Sequence, residues 1–241
     1  MLKFTVIGRH GPYPAPGGGT SCYLISSGST RIVVDMGCCA LSRLQQVTEL
    51  WSVDAIIISH LHADHVCDLL PARYYFMFDK RAAARPIKLK VFLPMQSSAE
   101  LDMLRTCPKF DLRDIALLRD TSIGDISCTS FAMTHSVPSN ALRFDCAGRR
   151  LTYSGDTTFN DNIASSLSGA HAYLCDFANV GNIKDSPHIP AALAAKLAKQ
   201  AGARLFMTHF TGTDTVRAHE IAREAGHSDA VAVEELQTYS V

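Results

Sequence analysis

The sequence predicts an α/β protein of the α+β type, in which two mixed β-sheets pack together and helices lie outside them. Predicted strands and helices alternate along the 241 residues, but several consecutive strands are joined by hairpins. Hairpins favour two mixed sheets over a doubly wound parallel sheet. No internal repeat or long linker divides the chain, so residues 1–241 are expected to form one domain.

In the first half of the chain, short apolar runs bounded by turn residues predict strands. Glycine and proline interrupt the first strand, so Gly8–Gly19 is predicted to be a mobile loop. Apolar residues at helical spacing predict a helix over Ala40–Leu50, and a second over Val66–Phe78 that is interrupted near Pro71. The predicted strands are Leu2–Ile7, Cys22–Ser26, Arg31–Asp35, Ala55–Ile58 and Leu89–Leu93, with a short helix over Ala99–Arg105.

The second half continues in the same way. Ala141–Cys146 and Arg150–Tyr153 form a predicted hairpin, and the Ala/Leu/Lys-rich helix Ala191–Ala201 is expected to end at Gly202, a residue favoured just past a helix. The other predicted elements are the strands Ile126–Thr134, Ala172–Cys175, Arg204–Thr208 and Val231–Val233, and the helix Asp214–Ala225.

Composition narrows the class of protein. Lys and Arg total 23, as do Asp and Glu, so no overall basic field would hold a polyanion. No apolar run approaches the roughly 18 residues of a membrane span, and the first residues do not have the pattern of a signal peptide. The eight cysteines contain no Cys-x-x-Cys pair. Cys38 and Cys39 are interpreted as packing thiols, with a soft-metal site or an oxidant sensor as the alternatives. We therefore expect a cytoplasmic protein.

The clearest functional signal is the hexapeptide His-Leu-His-Ala-Asp-His at residues 60–65, directly after the apolar strand that ends near Ser59. Imidazole and carboxylate are the side chains that zinc and related divalent ions select. A solvated His-rich stretch is the alternative interpretation. The position inside the fold, after a β-branched run, favours a metal site.

Three further metal-competent residues follow apolar segments in the same way. His135, Asp156 and His209 each come directly after a predicted strand or its closing turn. If these strands lie side by side and point the same way, their ends converge on one sheet edge. Together with His60, His62, Asp64 and His65 they would supply seven ligands, enough for two ions with positions left for water.

This pattern resembles the metallo-β-lactamase superfamily over essentially the whole chain. Within the superfamily, the motifs are similar to those of the ribonuclease Z-like branch. They are His-x-His-x-Asp-His, Thr134–Ser139, Tyr153-Ser-Gly-Asp156-Thr and Leu205–Phe210, with His188 ahead of the last. The resemblance implies a four-layer αββα sandwich with a dinuclear site.

The resemblance also implies a role for each residue. One ion would be held by His60, His62 and His135, and the other by Asp64, His65 and His209, with Asp156 bridging. Two ions can ionise a shared water near neutral pH, and Asp64 is placed to accept its proton. In this branch a histidine like His188 donates a proton to the leaving group, and Asp176 stands where the branch usually has Glu.

The reaction is predicted from these residues and the resemblance. The aspartate at 156 and the histidine at 62 disfavour the common zinc β-lactamase and diiron branches, and the flanking motifs favour phosphodiester hydrolysis over a glyoxalase-type thioesterase. Two alternatives remain open: an ester, thioester or lactone hydrolase, and a non-catalytic metal-binding module. Zn²⁺ is the expected ion, with Mn²⁺ or Fe²⁺ also compatible with this ligand set.

The substrate is expected to be a small or short nucleic-acid-derived phosphodiester. The stretch between Val66 and Thr134 lacks an obvious Gly/Pro-rich arm of the kind that grips RNA, which makes folded RNA a poor candidate. Tyr74–Phe78 is interpreted as core, with a homodimer surface or substrate wall as the alternatives. A basic cluster is interpreted as a solvated face or, alternatively, as a phosphate contact; it comprises Arg73, Lys80, Arg81 and Arg85.

Overall fold

Two seven-stranded mixed sheets form the centre of the protein. The computed structural model describes residues 1–181, 183–212 and 215–241. The first sheet has the order β14-β1-β2-β3-β4-β5-β6. Its strands are β1 (Lys3–Gly8), β2 (Cys22–Ser27), β3 (Thr30–Val34), β4 (Ala55–Ile57), β5 (Leu89–Leu93), β6 (Phe110–Asp114) and β14 (Thr238–Ser240).

The second sheet has the order β13-β12-β11-β10-β9-β8-β7. Its strands are β7 (Thr121–Ile123), β8 (Ile126–Met133), β9 (Ser139–Cys146), β10 (Arg149–Tyr153), β11 (Ala172–Asp176), β12 (Arg204–Thr208) and β13 (Val231–Ala232). Strands β3 to β6 pair in parallel, as do β10 to β13, while hairpins join β2 to β3 and β9 to β10. Each sheet is therefore mixed, as predicted.

Helices cover the outer face of both sheets. They are α1 (Ala40–Leu44), α2 (Ala63–Val66), α3 (Leu69–Phe78), α4 (Lys80–Ala83), α5 (Ala99–Arg105), α6 (Asn162–Leu167), α7 (Ala191–Ala201) and α8 (Val216–Glu224), with short 3₁₀ turns at Leu50–Ser52 and Ile115–Leu117. No helix in the described ranges has both the length and the apolar character needed to cross a bilayer.

Three apolar cores separate the four layers. The central core lies between the sheets and contains Phe4, Tyr23 and Phe206. A second core joins the first sheet to its helices, and a third joins the second sheet to α6, α7 and α8. Side chains alternate between the faces of a strand, so Ile32 enters the central core and Val33 the outer one. The predicted αββα sandwich is confirmed.

Some predicted element bounds are wrong. The helix expected over Ala40–Leu50 ends at Leu44, because Val47 is exposed and no apolar stripe continues to hold a helix against the sheet. Pro71 does not interrupt a helix: it lies in the first turn of α3, where its missing N–H has no helical partner to lose. The break falls one turn earlier, around Cys67.

Other elements differ in smaller ways. Helix α8 is observed over Val216–Glu224, and Asp214, where the prediction began, lies outside the described residues. All eight cysteines are free thiols, with Cys38 half-buried and Cys39 exposed. The elements that the sequence did not predict are short: β6, β7, β14, α4 and α6.

The aromatic segment Tyr74–Phe78 is divided between core and surface. Phe76 is fully buried in the outer core. Tyr74 and Phe78 are 55% and 72% exposed, and their rings stack with centroids 6.2 Å apart. The core interpretation therefore applies to Phe76, and a two-residue aromatic patch is left on the surface of α3.

Candidate metal centre

The predicted ligands come together because their strands share one direction. In the second sheet β10, β11 and β12 are parallel, so the residues after β10 and β12 meet at one edge. The first sheet brings the residues after β4 to the same place, where His60 Nε2 lies 3.8 Å from Asp156 Oδ2. His60 follows β4, Asp156 follows β10 and His209 follows β12. Strand β8 is antiparallel to β9, which is antiparallel to β10, so β8 delivers His135 to the same edge. This convergence is the arrangement that the sequence predicts.

Three imidazoles form the first group. His60 Nε2 and His135 Nε2 each lie 3.1 Å from His62 Nδ1. One ring nitrogen carries either a proton or a lone pair, so hydrogen bonds alone cannot satisfy this three-way contact. Ligand atoms around a tetrahedral ion with bonds of about 2.0 Å lie about 3.3 Å apart, which these spacings approach.

The second group consists of four buried side chains. Asp64, His65, Asp156 and His209 each present one atom within 4.8 Å of the others. His65 Nε2 is 3.4 Å from Asp156 Oδ1, and both atoms are buried without a hydrogen-bond partner. His65 donates its Nδ1 proton to Asp35 at 2.8 Å, so its Nε2 offers a lone pair once a metal ion displaces the second ring proton. Two facing lone pairs are stabilised by a cation between them, so these residues fit a divalent ion.

Asp156 connects the two groups. Its Oδ2 lies 3.2 Å from His209 Nε2 in the second group, and 3.8 Å and 4.0 Å from His60 Nε2 and His135 Nε2 in the first. One carboxylate that faces both sets of nitrogens has the placement of a bridging ligand. The assignment of these seven residues as ligands remains a prediction.

Every imidazole of the two groups is held through its other ring nitrogen. Such outer contacts fix ring orientation and tautomer in metal sites. The Nδ1 of His135 must donate, because its partner is a carbonyl, and this leaves Nε2 free to bind an ion. The partners are Ser59 Oγ for His60 (3.1 Å), Ser136 Oγ for His62 (3.3 Å), Asp35 for His65 (2.8 Å), the Pro187 carbonyl for His135 (2.9 Å) and Ser21 Oγ for His209 (3.1 Å).

Asp35 is the most connected residue that sequence reasoning missed. Besides His65, its carboxylate accepts hydrogen bonds from the Ser59 amide (2.7 Å), the Ser59 hydroxyl (2.9 Å) and the Tyr153 hydroxyl (2.8 Å). It is fully buried and has a left-handed φ of 57°. The available signal was its position just after β3, the same placement that marked the predicted ligands.

Charge in the site is arranged to suit a cation. Burial lowers the pKa of His60 and of His62, which keeps both imidazoles in the neutral form that binds metals. Burial opposes ionisation of Asp156, but the surrounding imidazoles hold its pKa well below the usual range. Burial likewise opposes charging of His65, yet the carboxylates of Asp156 and Asp35 raise its pKa well above the ordinary value. The second group thus attracts positive charge.

The predicted pair His188 and Asp176 is in contact beside this centre. His188 Nδ1 lies 2.7 Å from Asp176 Oδ2, so the shorter aspartate reaches its partner. Burial lowers the pKa of His188, but the hydrogen bond to Asp176 and its charge raise it to about 9. The Ile189 amide bonds the Thr157 carbonyl and so ties this segment to the strand end that carries Asp156.

The Gly/Pro-rich loop reaches the centre through Gly11. A Cβ at Gly11 would lie 2.1 Å from Cε1 of His209, so only glycine fits against this imidazole. The Gly11 amide bonds the Phe210 carbonyl at 3.1 Å, and Thr211 bonds the Gly11 carbonyl at 3.0 Å. These contacts place the predicted loop directly against the second ligand group.

The predicted basic cluster contributes nothing to the centre. Arg73 is buried and donates to the carbonyls of Leu70 and Met103. Arg85 donates to the Trp51 and Val53 carbonyls, and Arg81 pairs with Glu49 at 2.6 Å. The phosphate interpretation gains no support at Arg73 and Arg85, because their donors bond carbonyl groups of the fold. Arg81 is more than half exposed, which fits the solvated-face interpretation.

Known proteins resemble this chain in sequence and in fold. A family model described as "Beta-lactamase superfamily domain" matches residues 30–210. The chain is 28% identical over 215 residues to "Probable metallo-hydrolase YhfI" of Bacillus subtilis (strain 168), a match that covers 86% of each chain. The solved structure of YhfI, titled a metallo-beta-lactamase fold protein, has a TM-score of 0.91 at 22% identity and covers 99% of this chain and 98% of its own.

Two further solved structures share the fold. Human tRNase Z, short form, has a TM-score of 0.74 at 17% identity, covering 99% of this chain and 98% of that one. A diphosphatase from the PhnP family has a TM-score of 0.73 at 14% identity, covering 100% of this chain and 98% of that one. At sequence identities this low, the likeness shows only that the fold is shared.

Proposed function

This chain belongs to the β-lactamase superfamily, and on that premise we propose that it is a metal-dependent hydrolase that cleaves small phosphodiesters with a dinuclear centre. The observation that carries the proposal is the pair of ligand groups joined by Asp156, with the His188–Asp176 pair beside them. A protein that only binds metal ions would need the ligand groups and no proton donor. The His188–Asp176 pair beside the ligands therefore supports catalysis.

The chain's own residues divide the work of hydrolysis. Two bound divalent ions would supply a water of lowered pKa and neutralise charge on the phosphoryl oxygens. Asp64, whose Oδ2 lies 3.6 Å from His65 Nε2 and 3.8 Å from His209 Nε2, would accept the proton of that water. As the new P–O bond forms and the old one breaks, His188 would give its proton to the leaving oxygen.

Asp176 would orient and charge His188 during this step. Its hydrogen bond to Nδ1 fixes the ring, and a protonated ring then offers the Nε2 proton for donation. A phosphodiester releases an alkoxide, which needs such an acid. The names of two proteins that share the fold, tRNase Z and diphosphatase, agree with hydrolysis at phosphorus.

The substrate is proposed to be a small or short nucleic-acid-derived phosphodiester rather than folded RNA. The segment 66–134, where an RNA-gripping arm would be expected, is occupied by the elements from α3 to β8, with α3 and α5 packed on the first sheet. Its arginines are engaged within the fold. We also propose one domain over residues 1–241, a cytoplasmic location and Zn²⁺ as the ion.

A homodimer is proposed through the exposed rings of Tyr74 and Phe78 on α3. Phe78→Asp should shift the sedimentation coefficient to that of a monomer, while Phe159→Asp, also at an exposed aromatic ring, should not. A monomeric wild-type protein at micromolar concentration would remove the dimer proposal.

The function is tested by a substrate screen on protein with measured metal content. With Zn²⁺ or Mn²⁺ added, we expect turnover of bis(p-nitrophenyl) phosphate. In Asp64→Ala we expect loss of turnover, while the ion held by His60, His62 and His135 is retained. Activity on a thioester or lactone without phosphodiesterase activity would favour the carboxylic-ester alternative. Equal, near-zero turnover by wild type and Asp64→Ala would favour the binding module.

The acid role of His188 is tested by varying the leaving group. His188→Ala should slow cleavage of an alkyl phosphodiester by about 10²- to 10⁴-fold, but should slow release of p-nitrophenolate much less, because that anion needs no proton. His219→Ala, an exposed histidine on α8, is the matched control. An equal loss for both leaving groups would contradict proton donation.

A further inference from the structure

A cavity lies at the end of the second sheet opposite the metal centre. It has a volume of about 450 Å³ and is lined by residues that precede or begin β10, β11 and β12, among them Arg149, His171 and Arg204. Each of these strands is five residues long, so about 15 Å separates this edge from the one that carries the metal ligands. The cavity has no part in the proposed hydrolysis.

The cavity concentrates positive charge in a chain whose charges are otherwise balanced. Arg149, Lys199 and Arg204 line it together with one acid, Asp229. The Arg204 Nε and the Asp229 carboxylate are 3.8 Å apart, a long contact. The neighbouring Arg150, by contrast, meets a carboxylate at 2.6 Å. Three cations facing one weakly paired acid leave a net positive cavity.

Main-chain oxygens hold these cations in place. Arg149 donates its Nε to the Val241 main-chain oxygen at 2.9 Å, and Arg204 donates its Nε to the Asp229 carbonyl at 3.5 Å. Lys199 donates to the Gly226 carbonyl at 2.8 Å, and its stem passes 3.5 Å from where a Cβ on Gly226 would stand. One donor of each cation is thereby used to position it. For these three side chains, no other hydrogen bond is seen within the described parts of the protein.

His171 adds a further donor. Its Nδ1 accepts the Arg150 amide at 3.2 Å, so the ring proton of the neutral form is on Nε2. The guanidinium forks, the ammonium and this imidazole are the donor types that bind a phosphoryl group in a protein. A volume of this size admits a phosphoryl group together with a small organic body.

We infer that this cavity, lined by Arg149, His171, Lys199 and Arg204, binds the phosphoryl group of a small phosphorylated compound at a site separate from the metal centre. The ligand is recognised through its dianionic phosphoryl oxygens. Free phosphate, pyrophosphate and the terminal phosphate of a short oligonucleotide share this chemistry. Binding at this cavity does not depend on whether the metal centre cleaves phosphodiesters.

Calorimetric titration of the full-length, metal-loaded protein with inorganic phosphate and pyrophosphate at low ionic strength tests this inference. We expect saturable binding that the double variant Lys199→Gln/Arg204→Gln weakens by about 10-fold or more, because it loses two charged donors. Lys196→Gln, an exposed lysine on the same helix but outside the cavity, should bind as the wild type does. Thermal unfolding of both variants checks that each is folded.

The outcomes separate this cavity from the metal centre and from a general polyanion surface. Phosphate held at the metals would be unaffected by the double variant, so an unchanged affinity in a folded double variant overturns the inference, as does an equal loss in Lys196→Gln. Tighter binding of 5′-phosphorylated than of unphosphorylated trithymidylate would show that the cavity binds the terminal phosphate of an oligonucleotide. Binding of heparin, without binding of phosphate or pyrophosphate, would also overturn it.

Discussion

The two ligand groups of the metal centre are built differently, although they share Asp156. The first contains only imidazoles, two of them half-buried, held by two serine hydroxyls and a carbonyl. The second is entirely buried, contains two carboxylates and is supported by a third from Asp35. Since charge attracts cations more strongly in a buried site, we expect the second group to hold its ion more tightly.

The largest effect should come from removing what the groups share. Asp156→Ala takes the bridging carboxylate from both, so we expect the bound-metal content to fall to near zero and turnover to fall by about 10³-fold or more. Asp161→Ala, at an exposed aspartate five residues on, should change neither. Mass-spectrometric metal analysis measures the bound ions, and steady-state kinetics measures the turnover. One fully retained ion in Asp156→Ala would argue against Asp156 as a bridging ligand.

Replacing one histidine of each group by alanine should lower the free energy of unfolding by different amounts. His65→Ala leaves the buried carboxylates of Asp35 and Asp156 without their cationic partner, so the free energy of unfolding of the metal-free protein should fall by about 3 kcal/mol. His62→Ala removes a half-buried ring and should cost less than about 1 kcal/mol. Urea denaturation in a chelator measures both, and equal costs would erase the distinction.

The support from Asp35 can be weakened without emptying the second group. Asp35→Asn keeps an acceptor for His65 but removes the charge, so the affinity for the more tightly bound ion should fall about 10- to 100-fold. The other ion should be affected less. Competition with a metal indicator measures the two dissociation constants, and an equal fall in both would show that Asp35 does not act on one group selectively.

The smallest effect is expected at Gly11. In Gly11→Ala the new methyl group would collide with His209, and the surface loop should move to relieve the contact, so metal affinity should fall by less than about 10-fold. Gly181→Ala is the control, because among the described residues beyond its chain neighbours a Cβ there meets only Ile183, at 3.6 Å. A wild-type affinity in Gly11→Ala would mean that the loop does not press on the imidazole.

The sequence predicted the fold and the convergence of candidate ligands because both depend on local pattern. Apolar runs mark strands, and His135, Asp156 and His209 stand where such runs end. The contacts behind the ligands follow no local pattern: Ser21 meets His209 across 188 positions of the chain. Edge strands such as Thr121–Ile123 were missed because few of their side chains are buried.

The crowding of Asp35, Asp64 and Asp156 around His65 has a consequence for how the protein persists in a cell. Ions that bind only the native chain stabilise it by a free energy that rises with the logarithm of their free concentration. Newly synthesised copies that find no ion would unfold more often and be degraded by proteases sooner. Cellular abundance of this protein should therefore rise and fall with the available pool of its ion, even when its rate of synthesis is constant.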